Sequence, residues 1–327
     1  MFDKYCNVIF IGLFFATVVS VSAQQEPLYT QYMYNIGSFN PAYAGTVESA
    51  ELSALYRAQW IDIPGAPRNL RFGANLPMNN EKMGLGFNVI SDALGPSTQM
   101  YFDVSYSYQI NLSDNSWLSF GLDAGGSILN LDYSKGTFEN PGEPLIGGQD
   151  FNQFYPVVGA GMFAYGEQWY AGVSIPNFLT LGIYQEELEA VVDNDLQFNF
   201  ITGYVFEISD SSKFKPAVLV NVLPGGPVNL NLSANFLFLN ALTLGANYRI
   251  DNSVSGILGV QVSNSMFLGY SYDYNTNGLG EFNSGSHEAI LKFYLGRGDS
   301  NSSQGRNREK NKKLKGKPKQ IDSPRFF

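Results

Sequence analysis

Apolar and polar residues alternate with a period of two along most of the chain after residue 48. In "MYFDVSYSYQI", residues 100–110, Met100 and Phe102 begin an apolar series, whereas Asp103 and Ser105 belong to the polar series between them. Successive side chains of a strand point to opposite faces, so this pattern predicts strands with one apolar and one polar face. "VNLNLSANF" and "LTLGANYRI" show the same alternation. Such stretches run to about ten residues, the length of a transmembrane strand rather than the ~5–6 residues usual in soluble sheets.

The chain contains fourteen such segments, and the sixth, "PVVGAGMFAYG", is apolar on both sides. The predicted strands are residues 49–60, 67–76, 82–92, 98–110, 117–130, 154–165, 168–175, 196–208, 214–223, 228–238, 241–250, 254–263, 266–274 and 287–295.

The connections between these segments fall into two length classes. Those after even-numbered strands are short, such as "PMNNEK", "NLSDNS" and "GEQ", and the long ones, at 131–153, 176–195 and 275–286, follow odd-numbered strands. Outer-membrane barrels have an even number of strands, short periplasmic turns and longer extracellular loops. We therefore predict an all-β fold, a transmembrane antiparallel β-barrel of about 14 strands over residues 48–296.

In such a barrel the polar faces line a lumen and the apolar faces meet outer-membrane lipid. The alternative is a secreted soluble β-sandwich or propeller. The sequence disfavours it because strands of those folds are shorter and no repeat of fixed period is present.

The first 23 residues have the features of a signal peptide. Lys4 precedes the apolar stretch "NVIFIGLFFATVVSV", and "VSA" ends at Ala23, where cleavage is expected. The alternative is a membrane anchor, which the short apolar run and the cleavage site disfavour. Cys6, the only cysteine, lies in this segment, so we expect a mature chain without disulfides or thiol chemistry.

Charge divides the chain into an acidic body and a basic tail. The net charge is −16 over residues 24–296 and +7 over residues 297–327. Basic, polar, low-complexity runs such as "RNREKNKKLKGKPKQ" are usually disordered, so we predict a disordered periplasmic tail. It is either merely solvated or contacts a periplasmic partner or an acidic envelope polymer. We expect no nucleic-acid partner.

Candidate catalytic and metal-binding residues are sparse. His287 is the single histidine and has neither a second histidine nor a GxSxG motif with it, so a residue at the barrel rim is favoured over catalysis. The acidic residues of "EELE" at 186–189, with Asp193 and Asp195, lack the spacing of a calcium loop. We therefore expect no enzyme activity, no cofactor and no metal site.

The segment at 24–47 is different from the barrel. "NIGSFNPAYAG", residues 35–45, has no alternation, and Pro41 argues against a strand. We predict a periplasmic segment in which a helical turn near residues 31–35 and the NPAYAG turn fold against the barrel mouth. Tyr32, Phe39 and Tyr43 would be its anchoring rings. Two interpretations stay open, a structural cap and a contact with a partner.

The start of the mature chain carries the most specific motifs. "QYMYNIGSFNPAYAG" is followed by "LYRAQWIDIPGAPRNLRFGANLPM", and further stretches are "GLGFNVISDALGP", "LSFGLDAGG" and "GSHEAILKFYL". Over residues 28–296 the chain resembles the PorP/SprF family, outer-membrane proteins of the type IX secretion and gliding machinery. The elements that carry this resemblance are Gln31, Tyr32, Asn35, the NPAYAG motif at 40–45, Arg57, Gln59, Trp60, Gly65 and Pro67.

The resemblance implies a non-enzymatic barrel that assists secretion or surface anchoring of a partner protein. In gliding members that partner is a large surface adhesin with a C-terminal sorting domain, and other members associate with periplasmic ring lipoproteins of the secretion complex. The alternative function is a passive porin or small-solute channel. The candidate residues for partner binding or mouth capping are Tyr32, Phe39, Asn40, Pro41, Tyr43, Arg57 and Trp60.

Overall fold

The computed structural model describes residues 28–47, 49–78, 82–132, 151–179, 182–185, 188–193, 196–224, 226 and 228–295. The predicted signal peptide (1–23), residues 24–27 and the predicted basic tail (297–327) lie outside the described residues. The side chains of the acidic stretch 186–195 also lie outside them.

Fifteen of the seventeen described strands form one antiparallel barrel. β10 and β11 both pair with β12, so they make a single wall strand interrupted at Val205, and the β10–β12 pairing closes the sheet into fourteen strands. The strands are β1 Glu51–Ala58, β2 Arg68–Pro77, β3 Met83–Leu94, β4 Ser97–Ser113, β5 Ser116–Leu131, β6 Phe151–Gly166, β7 Trp169–Ile175, β8 Gly182–Gln185, β9 Leu188–Asp193, β10 Phe198–Tyr204, β11 Phe206–Ser209, β12 Ser212–Val222, β13 Asn229–Phe238, β14 Leu242–Arg249, β15 Ser253–Ser263, β16 Met266–Asn275 and β17 Ser286–Tyr294. β8 and β9 pair only with each other, as a hairpin within a connection.

The predicted barrel is confirmed. Each of the fourteen predicted segments coincides with one wall strand, including the apolar sixth segment, which is β6. Among the described residues, no helix is both apolar enough and long enough to cross a membrane.

The barrel has two unlike ends. The short-turn end holds the turns after β2, β4, β6, β11, β13 and β15, together with the start of β1 and the end of β17. The long-loop end holds the connections after β1, β3, β5, β7, β12, β14 and β16. The last of these connections contains a 3₁₀ turn, Gly278–Glu281.

Side chains alternate across the wall as the sequence predicts. On β13, Asn231 and Asn235 are buried on the inward face, whereas Leu232 and Phe236 are exposed on the outward face. Inward positions elsewhere are also mostly amide, hydroxyl or charged residues, and outward positions are mostly large apolar or aromatic residues. This distribution is typical of a barrel whose lumen is polar and whose outside faces lipid.

Residues 28–47, called the plug below, lie inside the lumen. They form three short 3₁₀ turns, Tyr32–Tyr34, Ile36–Ser38 and Pro41–Tyr43. The plug bonds to inward-facing side chains on opposite parts of the wall, such as those of Asn88 on β3 and Ser233 on β13. The prediction that this segment folds against the mouth is therefore corrected. The polar lumen supplies hydrogen-bond partners that a segment without periodic structure needs when it is buried.

Candidate functional site

The plug spans the lumen from one end of the barrel towards the other. Near the short-turn end, the Gly45 amide donates to Asn75 Oδ1 at 2.6 Å, and Gln109 Nε2 donates to the Gly45 carbonyl at 2.9 Å. Near the long-loop end, the Thr30 amide donates to Glu288 Oε2 at 3.0 Å. Wall side chains thus fix the plug at both ends. The candidate functional site is therefore the lumen together with the plug that fills it.

The NPAYAG motif forms a capped turn. Asn40 precedes the turn, and its side-chain oxygen accepts from the Ala42 amide at 3.0 Å, while Pro41 occupies the first position. Asn is a favoured N-cap, and Pro is favoured at the first position because its φ suits the turn and no amide is required there. Asn40 Nδ2 also donates to the Met162 carbonyl at 3.2 Å, which joins the turn to β6.

Glycines on the wall allow this turn to approach closely. A Cβ atom at Gly121 on β5 would overlap the Ala42 nitrogen, and one at Gly84 on β3 would overlap the backbone of Gly45. Gly45 itself has φ +63°, in the left-handed region that favours glycine. Gly84 and Gly121 lie in "GLGFNVISDALGP" and "LSFGLDAGG", so motifs far apart in sequence form one backbone contact.

Aromatic rings of the plug are buried as anchors. The Tyr43 ring packs edge-on against Phe163, with 5.6 Å between ring centroids. The Tyr32 hydroxyl donates to the Ala217 carbonyl at 2.9 Å, and burial raises the pKa of the Tyr32 phenol. Phe39 is half-buried and packs against the same cluster. Tyr32 and Tyr43 are therefore inaccessible to a partner while the plug is in place.

Arg57 lies in a buried charge network that fixes the start of the plug. Its guanidinium pairs with Asp273 at 2.6 Å and with Glu288 at 3.0 Å, and all three side chains are almost fully buried. Glu288 also accepts from the amides of Thr30 at 3.0 Å and Gln31 at 2.8 Å. A buried charge is tolerated when it is paired and hydrogen-bonded, and each carboxylate meets that requirement here.

A second buried charge holds the middle of the plug. Lys292 Nζ donates to the Tyr34 carbonyl at 3.0 Å and pairs with Glu51 at 2.9 Å. Lys292 lies on β17, in the motif "GSHEAILKFYL", and Glu51 begins β1. The charged side chains of the first and last strands thus bind the same segment.

Trp60 does not lie with the other candidate residues. It is in the connection after β1, at the long-loop end, with φ +47°. Its amide donates to Ser286 Oγ at 3.2 Å, and the next amide, of Ile61, donates to the Gly285 carbonyl at 2.9 Å. Arg57 and Trp60 are close in sequence but lie in different parts of the protein. Arg57 is in the lumen, and Trp60 is in a loop.

Several residues of this site were not among the predicted ones: Asp273, Glu288, Lys292, Gly84 and Gly121. The alternation of β17 was a usable signal, because it places Glu288 and Lys292 on the inward face with Ile290. His287 is half-buried at the rim, with Nδ1 at 2.6 Å from the Tyr270 hydroxyl. Among the described residues, no group of three His, Cys, Asp or Glu side chains is placed to hold a metal ion.

Comparison with known families gives one match. The model described as "Type IX secretion system membrane protein PorP/SprF" matches residues 21–293. No curated protein sequence matches the chain.

Similar solved structures are outer-membrane proteins of low sequence identity. The toluene transporter TbuX of Ralstonia pickettii is 10% identical, with 81% of this chain and 93% of that chain covered and a TM-score of 0.49. The CymD monoaromatic hydrocarbon channel is 12% identical, with 81% and 91% covered and a TM-score of 0.48. A FadL homologue of Pseudomonas aeruginosa is 11% identical, with 81% and 93% covered and a TM-score of 0.43.

Proposed function

Because the chain belongs to the PorP/SprF family of type IX secretion system membrane proteins, we propose that it assists secretion or surface anchoring of one partner protein of that pathway. The partner is a cell-surface adhesin with a C-terminal sorting domain, and the barrel holds it without enzymatic chemistry. The observation that carries this proposal is the family match over residues 21–293, which includes the plug and every wall strand up to β17.

The filled lumen supports a holding function over passive transport. A porin needs a continuous water-filled channel. Here the plug hydrogen-bonds to wall residues on opposite sides, including Asn75 on β2 and Ala217 on β12. The passive channel, the alternative from the sequence, would require this segment to leave the lumen.

The proposal includes a location and an orientation in the outer membrane. Cleavage after Ala23 and periplasmic termini would place the short-turn end in the periplasm and the long-loop end outside. The outward apolar residues, such as Phe72 and Leu122, then meet lipid. Periplasmic ring lipoproteins would meet the short-turn end, and the basic tail at 297–327 would lie near them.

Deletion of the gene tests the proposal. We expect one adhesin to disappear from the cell surface, measured by surface proteomics, while other type IX cargo is still secreted. Loss of all type IX cargo would instead support a core component that works with the ring lipoproteins. Normal display of every cargo protein would refute the proposal. Re-expression of the intact chain is the control for effects on neighbouring genes.

A further inference from the structure

An apolar groove lies on the outer face of the wall, between β4 and β10. It has a volume of about 570 Å³ and is open to the outside, and twelve described residues line it. Two of them, Tyr106 and Leu122, are 44% and 61% exposed, whereas Ser107, the residue after Tyr106, faces the lumen and is fully buried. The groove is therefore part of the lipid-facing surface, and its volume lies within the ~300–1,000 Å³ usual for small-molecule sites.

The groove arises from one small side chain in a row of large ones. Four residues on β4 to β7 are successive cross-strand partners: Tyr106, Leu122, Ala160 and Ile175. Opposite residues on one face of a sheet have Cβ atoms ~4.5–5.5 Å apart, so the methyl group of Ala160 lies between the larger side chains of Leu122 and Ile175. Ala160 belongs to "GAGMFAYG", part of the strand that is apolar on both faces.

The wall behind the groove is one backbone layer thick at two glycines, Gly121 and Gly161. Both line the groove, and both also face the plug. A Cβ atom on Gly161 would overlap Asn40 Oδ1, and one on Gly121 would overlap the Ala42 nitrogen. The NPAYAG turn and the content of the groove therefore lie on opposite sides of the same backbone. An occupant that fills the groove supports the wall against which the plug packs.

The lining limits what can fill the groove. None of the twelve described lining residues has a charged side chain, and their strands pair with each other. Ser174 Oγ points inward and donates to the Phe39 carbonyl at 2.5 Å, so the two tyrosine hydroxyls are the polar groups of the outward side chains. An occupant with polar groups along its length would lose hydrogen bonds there. An empty groove would cost the lining its dispersion contacts, because nothing would lie against it.

We propose that one acyl chain of a membrane phospholipid occupies the groove. A hydrocarbon chain needs no hydrogen bonds, and the bilayer that meets the outward face of the barrel supplies it. The rings of Tyr106 and Tyr108 belong to the lining, and tyrosine suits a lipid site because its ring is apolar and its hydroxyl is a polar end.

A second protein is disfavoured as the occupant. Twelve residues line the groove, whereas a stable protein–protein interface uses about 20–30 residues a side. The inference goes beyond the proposed function, because retention of a lipid requires no cargo protein.

Native mass spectrometry of the purified full-length protein tests the inference. The protein in a non-ionic detergent is mixed with dioleoyl phosphatidylethanolamine, and the collision energy is raised until the detergent is removed. We expect one phospholipid to remain bound to each barrel. We also expect this lipid to raise the temperature of the unfolding midpoint, because a ligand that binds the folded state stabilises it.

Two variants alter the groove from its outer side. In Ala160→Phe the ring occupies the groove, so retention of the phospholipid should fall about tenfold and the lipid should no longer raise the midpoint. Leu122→Ala removes one side of the groove and should also weaken retention. Ala246→Phe and Leu258→Ala are the matched controls, because both residues are exposed on the outward face, outside the groove. Heat-modifiable migration on gels verifies that each variant forms a barrel.

Equal retention by Ala160→Phe and Ala246→Phe would overturn the inference, as would a wild-type barrel that retains no phospholipid. Glycerophosphoethanolamine, which has the head group without acyl chains, should not displace the lipid. Displacement by this compound would overturn the inference in favour of a head-group site. A dimer that Ala160→Phe abolishes would overturn it in favour of a second copy of the chain.

Discussion

Arg57 on β1 and Asp273 on β16 form a buried ion pair with a distance of 2.6 Å, although they are 216 positions apart in sequence. The second carboxylate on Arg57, that of Glu288, accepts the amides of Thr30 and Gln31. One guanidinium thus organises the two acidic residues that hold the start of the plug. The conformation of the plug and the closure of the barrel are therefore energetically linked.

Substitution of Arg57 by methionine should destabilise the folded protein strongly. Asp273 and Glu288 would remain buried without their cation, and breaking one partner of a buried ion pair costs about 3–5 kcal/mol. The measurement is the unfolding midpoint in denaturant, followed by the loss of heat-modifiable migration. Arg68→Met is the matched control, because Arg68 is exposed near the same end. Similar midpoints for the two variants would contradict the assigned network.

Tyr43→Ala should act through the plug rather than through a direct partner contact. The Tyr43 ring is buried against Phe163, and truncation of a large buried aromatic side chain costs about 3–5 kcal/mol. We expect lower barrel stability, with any loss of cargo following from it. Tyr56→Ala, on the exposed outward face, should change stability much less. Loss of cargo by a fully stable Tyr43→Ala barrel would show that Tyr43 contacts the partner.

The strands were predictable because a barrel wall repeats one local rule. Each residue of β13 or β16 faces either lipid or lumen, so alternation alone locates the strand and assigns its faces. Alternation does not say which inward residues meet. The pairing of Arg57 with Asp273 depends on the closure of the first strands against the last, which no local pattern contains.

The position of the plug was not predictable for a related reason. Residues 28–47 have no strand or helix periodicity, and their hydrogen bonds go to distant wall residues, such as Ser107 and Lys292. The sequence did contain one usable sign, since Gly121 interrupts the inward face of a predicted strand. A glycine on the inward face of a strand can indicate that another backbone segment approaches closely. At Gly121 this segment is the backbone of Ala42.

Strongly alkaline conditions should loosen the plug. Burial raises the pKa of Tyr32, so the folded protein binds the phenolic proton more tightly than the unfolded chain does. This stabilisation is complete below the unfolded value of about 10 and is lost as pH rises from there through the folded value. The denaturant concentration at the unfolding midpoint should therefore be lower at about pH 11 than at about pH 8.

Tyr32→Phe is the test of that assignment. The variant loses the hydrogen bond to the Ala217 carbonyl, so its stability at neutral pH should fall by about 1 kcal/mol. Its further loss at alkaline pH should be smaller than that of the wild type, because one buried phenol is absent. An equal alkaline loss in both proteins would show that other tyrosines or groups cause the effect.

Gly121→Ala should convert a silent barrel into a conducting one. The added Cβ would overlap the Ala42 nitrogen. Because the backbone of Ala42 cannot rotate away as a side chain can, the NPAYAG turn must shift. We expect the wild-type protein in planar bilayers to show no stable ionic conductance and the Gly121→Ala variant to show frequent conducting events. Gly256→Ala is the matched control, since the same atom there meets nothing within 4 Å. A stable open pore in the wild type would favour a passive channel, and a silent Gly121→Ala barrel would show that the turn is not held by this contact.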